Sequence, residues 1–78
     1  DTPQDVFVRV SGSGESDTLF DLVQQVFPNA VRLIRRDEET GEAGFTLSQI
    51  SEKELRGKIP ALEERGLKLE NRITIADF

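Results

Sequence analysis

The period of the apolar residues switches between two and 3.6 along this chain, and the order of the switches restricts the fold more than any single motif. Val6, Val8 and Val10 share one face of an extended segment over Asp5 to Ser11, with Phe7, Arg9 and Ser11 on the other. Gly12-Ser13-Gly14 ends that strand. Leu19, Leu22, Val23, Val26 and Phe27 then recur at helical spacing as one stripe. Ser16, Asp17 or Thr18 can cap this helix, and Pro28-Asn29 stops it. Alternation returns over Ala30 to Arg36, with Val31 and Leu33 on one face and Arg32, Ile34 and Arg36 on the other. Asp37 to Glu42 reads as a turn with Gly41 near its end, and Ala43 to Ile50 as a third strand completing a hairpin. Ser51 with Glu54 makes a capping box for a second helix whose stripe is Leu55, Ile59 and Leu62. Pro60 is expected to kink that helix or mark its restart. Gly66 suits the left-handed position after its last turn. Leu67 to Leu69 and Ile73 to Ala76 form the last extended segment, with Asn71-Arg72 as a possible break.

The order is β-α-β-β-α-β, which is the split βαβ or ferredoxin-like arrangement of the α+β class. It predicts a four-stranded antiparallel sheet with two helices on one face. A chain of 78 residues holds one domain, here residues 5–78 after a lead-in at residues 1–4. Nothing in the sequence remains to cover the second face of the sheet, so function is sought there.

Composition narrows the chemistry. His, Cys, Met, Trp and Tyr are all absent. Disulfides and thiolate metal sites are thereby excluded, and the usual general base and the commonest metal ligand are missing. The chain therefore reads as non-enzymatic, with no catalytic residues, no cofactor and no metal. The acids of Asp37 to Glu39 and Glu42 lack the spacing of a calcium loop. No apolar run is long enough to span a bilayer and no signal segment opens the sequence, so an intracellular module, nuclear or cytoplasmic and cut from something longer, is expected. The net charge of -5 predicts weak generic attraction to polyphosphate, which makes the placement of the ten basic residues decisive.

The phase of the third strand is ambiguous. Phe45, Leu47 and Gln49 share one face; Gly44, Thr46, Ser48 and Ile50 share the other. Apolarity alone turns Phe45 and Leu47 inward. From Asp5 to Ile75, however, the chain resembles an RNA recognition motif. Val6-Phe7-Val8 matches that family's apolar-aromatic-apolar motif on the first strand. Gly44-Phe45 matches the Gly-aromatic pair of its third strand. Asp37-Glu-Glu-Thr40-Gly41 resembles its hairpin turn, and Glu70-Asn71-Arg72-Ile73 its entry to the fourth strand. The sequence departs from the family where Ala43 replaces the basic residue before Gly, Leu47 the second aromatic, Ser48 a buried aliphatic, and Val10 the first-strand Asn. The resemblance implies weak binding of single-stranded RNA by a monomer. Phe7 and Phe45 would stack bases, with Leu47 beside them, and Arg9, Arg32 and Arg36 would contact phosphates or base edges. Arg72 would add charge near the strand edge.

Two other readings stay open. The same element order resembles an ACT-like regulatory domain, which implies a small amino-acid effector near the loop Gly12 to Ser16 and a side-by-side dimer. That loop is not a dinucleotide fingerprint, because Asp17 stands where a third glycine is needed, and it lacks the Lys of a P-loop. The third reading is a protein-interaction module, docking a partner through the sheet or through the polar face of the first helix, with Asp17, Asp21, Gln24 and Gln25.

Overall fold

The computed structural model describes residues 2–75. The elements run β1 (Gln4–Ser11), α1 (Ser16–Val26), β2 (Val31–Ile34), β3 (Glu42–Ile50), α2 (Glu52–Glu64) and β4 (Lys68–Thr74). The four strands form one antiparallel sheet in the order β2-β3-β1-β4, with both helices on one side. This is the ferredoxin-like α+β arrangement expected from the switching periods. Among the described residues, no helix is long and apolar enough to cross a membrane.

The core lies between the sheet and the helices. Val6, Val8 and Val10 of β1 meet Leu19, Val23 and Val26 of α1 and Leu55 and Leu62 of α2. The valines have one stiff side-chain rotamer each and fill a pleated surface well. Ser51 caps α2 by accepting a bond from the Glu54 backbone N–H at 3.1 Å. Gly41 and Gly66 both take a positive φ, as the turn and the helix end require.

Several local expectations shift. The cap of α1 is Glu15 and makes no side-chain cap bond; the Ser16 hydroxyl faces β2 instead, where it accepts bonds from Arg32 and Arg36. α2 runs through Pro60 as one helix and does not restart there. β2 ends at Ile34, two residues early. β4 is continuous through Asn71-Arg72 and absorbs the misfit with a bulge at Glu70. β1 begins at Gln4, so the lead-in is one residue shorter; Asp1 and Ala76 lie outside the described residues.

A second bulge sits at the far end of β3. Gln4 pairs with Ile50 and Val6 with Leu47, so Ser48 and Gln49 together oppose Asp5. Gln49 takes φ 54°, a left-handed conformation costly for a residue with a Cβ. Its N–H is held by the Asp5 carboxylate at 3.0 Å.

Candidate interaction surface on the open sheet

Residues paired across neighbouring strands point to the same face, so the register sorts every sheet side chain. Val8 pairs with Phe45, and Phe45 with Arg32; Val8 also pairs with Arg72. All four therefore face the helices. Phe45 is fully buried, its ring stacked on Phe20 of α1 with centroids 5.9 Å apart and planes 9° from parallel. Leu47 is buried in the same layer. These two residues cannot offer a base a stacking surface; strand three takes the phase that apolarity favours.

The arginines divide in the same way. Arg32 turns under β2 to α1. Its guanidinium lies 5.2 Å from the Phe20 ring centroid and donates to the Asp17 carboxylate at 2.9 Å. That hydrogen bond, with the charge behind it, holds the Asp17 carboxyl below the usual carboxylate range. Arg72 turns under β4 to α2 and pairs with Glu52, and the bond lowers the Glu52 carboxyl in the same sense. Arg36 donates from Nε to the Gly12 carbonyl at 2.7 Å, which ties the hairpin to the end of β1. Of the seven residues expected on the open surface, the register leaves Phe7 and Arg9 there. Arg32, Phe45, Leu47 and Arg72 belong to the helix side, and Arg36 to the loop end of the sheet. The cause for β2 is a bulge between Arg32 and Ile34. It breaks the simple alternation that put both on one face.

The open face is built from three rows. Val31, Thr46, Phe7 and Ile73 form one row across all four strands; Ile34, Gly44, Arg9 and Asn71 form the next. The Phe7 ring tip lies over Gly44: a Cβ on that glycine would come within 2.7 Å of Phe7 Cζ and 3.2 Å of Ile34 Cβ. The missing side chain lets the ring bridge β1 toward β2, and leaves it half-buried. Around it Val31, Ile34, Ile73 and Ile75 are about half exposed, Ile73 the most at 57 %. Charges gather toward the opposite end, where Glu42, Ser11 and Lys68 make the third row beside Arg9. Arg9 pairs with Glu42 at 3.8 Å, and Lys68 with Glu70 at 3.9 Å. Ser11 adds a 2.6 Å bond from its hydroxyl to Glu70. The face thus has an apolar half, bordered by the exposed Asp5, and a charge-paired half, and the charges on it nearly balance.

No family model, curated protein or solved structure matches this chain. Its own geometry is what there is to read.

The β1–α1 loop uses its polar groups internally. The Gly12 N–H donates to Gly41 O, the Gly12 carbonyl accepts from Arg36, and Ser16 Oγ accepts from Arg36 and Arg32. A Cβ on Gly12 would strike Leu67 and Leu19 within 3 Å, so this glycine serves a close approach of the loop to the core. A shallow cavity of about 70 Å³ opens near Phe27, Ala30, Leu47, Ile50, Glu54 and Lys58. It has room for a few waters, well short of the roughly 300 Å³ a small-molecule site needs, whereas a wider hollow of about 510 Å³ opens at the end of the sheet between Gln4, Asp5, Gln49, Thr74 and Ile75.

Sequence reasoning set Ile34 on the outward face, where it lies, but overlooked Val31 and Ile73 as surface residues. The signal was present: both are β-branched aliphatics on the strands, at positions the inward set of valines, Phe45 and Leu47 did not need.

Proposed function

We propose that this domain is a protein-interaction module whose docking surface is the open sheet face, with Phe7 at its centre. The observation that carries this reading is the set of exposed aliphatics, Val31, Ile34 and Ile73, around a half-buried Phe7, on a face whose charges nearly balance. Magnitudes weigh protein against RNA. One stacked base contributes roughly 1–3 kcal/mol. Even a millimolar complex needs about 4 kcal/mol. Arg9 is the one arginine aligned with this face, and it already has Glu42 beside it. The phosphate contacts that supply most nucleic-acid affinity therefore have few donors here. Aliphatic side chains, in contrast, gain on contact with another apolar surface at about 25 cal/mol per Å². Clusters of this kind on a folded domain mark association sites.

The test is photo-crosslinking in the cells that make the protein, with a benzophenone side chain at Ile34 or Ile73 and, as control, at Gln24 on α1. The expected result is adducts at the sheet positions that proteases destroy and nucleases leave intact. Nuclease-sensitive adducts would return the face to RNA. Equal labelling at Gln24 would mean that the sheet is not a docking surface at all.

A further inference from the structure

We infer that the occupant of the open sheet is a second copy of this chain, packed face to face about a two-fold axis; this rests on the sheet being a protein-docking surface. Three features of the molecule point to it.

The first is charge. The chain carries a net charge of -5, which opposes self-association through most of its surface. Acids crowd α1, α2 and the hairpin turn: Asp17 and Asp21, Glu52, Glu54, Glu63 and Glu64, and Asp37 to Glu39. The open face is the exception. Its two cations, Arg9 and Lys68, are matched by Glu42 and Glu70. Face-to-face packing brings together the two near-neutral sheets and keeps the acidic helices on the outside, far apart.

The second is shape. A two-fold axis lying in the interface along the middle of the sheet sets apolar half on apolar half. With that axis running between β3 and β1, parallel to the strands, Val31 of one copy meets Ile73 of the other and Phe7 meets Thr46, each contact occurring twice as an isologous interface requires. The paired charges fall at the rim, where water still reaches them. Gly44 and the Phe7 ring lying over it keep the middle of the face low, so that two sheets can approach to the usual spacing of about 10 Å.

The third is the state of the sheet edges. Both edge strands carry a bulge, at Leu33 in β2 and at Glu70 in β4. β2 is four residues long, and charged residues flank or interrupt both edges. Such edges resist pairing with another strand. Association by extension of the sheet is therefore blunted while association by its face is left open.

Area sets the strength. Four strands about 4.8 Å apart and six residues rising about 3.3 Å each give a footprint of roughly 400 Å² per copy. Two copies bury roughly 800 Å² by footprint, below the roughly 1,200 Å² of stable specific complexes and in the range of weak, transient ones, so a dissociation constant of about 10 µM to 1 mM is expected.

The test is sedimentation equilibrium of the whole chain from about 10 µM to about 1 mM, with amide spectra over the same range. The variants are Val31→Lys with Ile73→Lys together, and Gln24→Lys as control. Amide spectra of each variant at low concentration establish that it is folded. The expected result is a mass rising toward twice the monomer for the wild type and Gln24→Lys, and at least a tenfold weaker dimer for the double variant. Concentration-dependent shifts should gather at Phe7, Arg9, Thr46 and Asn71 and spare both helices. A wild type that stays monomeric at 1 mM overturns the second copy; crosslinks from Ile73 to a different protein would then leave the docking surface standing. A dimer that ignores the double variant also overturns it, because the contact then lies elsewhere. A monomer with no sheet crosslinks removes both readings.

Discussion

Phe45→Ala is the sharpest probe of how this sheet is phased, because the two phases predict opposite results. In the structure the ring is fully buried between β3 and α1 and stacks on Phe20. Truncation removes the transfer energy of the ring and leaves a cavity that the neighbours only partly fill, at a cost of about 3–5 kcal/mol. A domain of this length has about 4–12 kcal/mol in all. The variant should therefore lose a large part of its stability. The melting temperature should fall by roughly 15–30 °C, since 1 kcal/mol moves it by about 4–8 °C in a domain this small. Urea unfolding followed by far-ultraviolet circular dichroism is the suitable assay, because the chain has no Trp or Tyr to report by fluorescence. Phe7→Ala is the companion. That ring is half-buried on the open face, so its removal should cost about 1–2 kcal/mol and leave a cooperative transition. A loss below about 1 kcal/mol for Phe45→Ala would refute the reasoning. It would put Phe45 outside, with Gly44 and Thr46 turned toward the helices.

Three further results are expected. Gly44→Ala should destabilise by about 1–3 kcal/mol, as the new methyl meets the Phe7 ring tip and Ile34; a large shift of the Phe7 ring resonances would report the displacement, and unchanged ring shifts would contradict the contact. Gln49→Gly should stabilise by about 1 kcal/mol, because glycine takes the left-handed backbone without strain; a loss in thermal unfolding would mean that the Gln49 side chain matters more than its φ. Asp17 and Glu52 should titrate below their ordinary range in the folded protein, each held down first by its arginine hydrogen bond. A lowered folded pKa contributes stability above the unfolded value that is lost as pH falls through the folded one. Stability should thus hold down to about pH 5 and decline in more acidic solution, and Arg32→Ala should return the Asp17 midpoint, read by carboxyl carbon shifts, to its ordinary range.

The elements were legible because their causes are local. Val6, Val8 and Val10 alternate regardless of what they pack on, and Ser51 with Glu54 closes a cap within four residues. What was not legible is long-range. Whether Phe45 faces in or out depends on its register with Val8 and on Phe20, which is 25 positions away in sequence. The resemblance of Gly44-Phe45 to a base-stacking motif pulled one way and apolarity the other, and packing decided for apolarity. The faces of Val31 and Arg32 were misjudged for a different reason, while Ile34 lies on the face expected of it. A bulge adds one residue to a four-residue strand, and period two then fails within the strand itself. Pro60 was expected to interrupt α2, yet Leu55 and Leu62 hold the helix on the core from both sides of it.

The two edge arginines connect the fold to its surface. Arg32 reaches from β2 to α1, and Arg72 from β4 to α2, so each edge strand clamps the helix above it. Asp17 and Glu52, their partners, are exposed, and such pairs contribute little to stability singly. Their larger consequence is where they place charge. The register sets each cation on the helix side, and there each neutralises an acid on the layer that carries most of them. The sheet loses the positive field an RNA surface needs and keeps its aliphatics. Reversing one clamp tests this directly. Asp17→Lys removes the partner of Arg32 without changing its register, and should leave the affinity of the sheet face for short single-stranded RNA unaltered in an amide titration at low salt, while a clear gain would show that the ion pair, and not the register, governs the charge of that face.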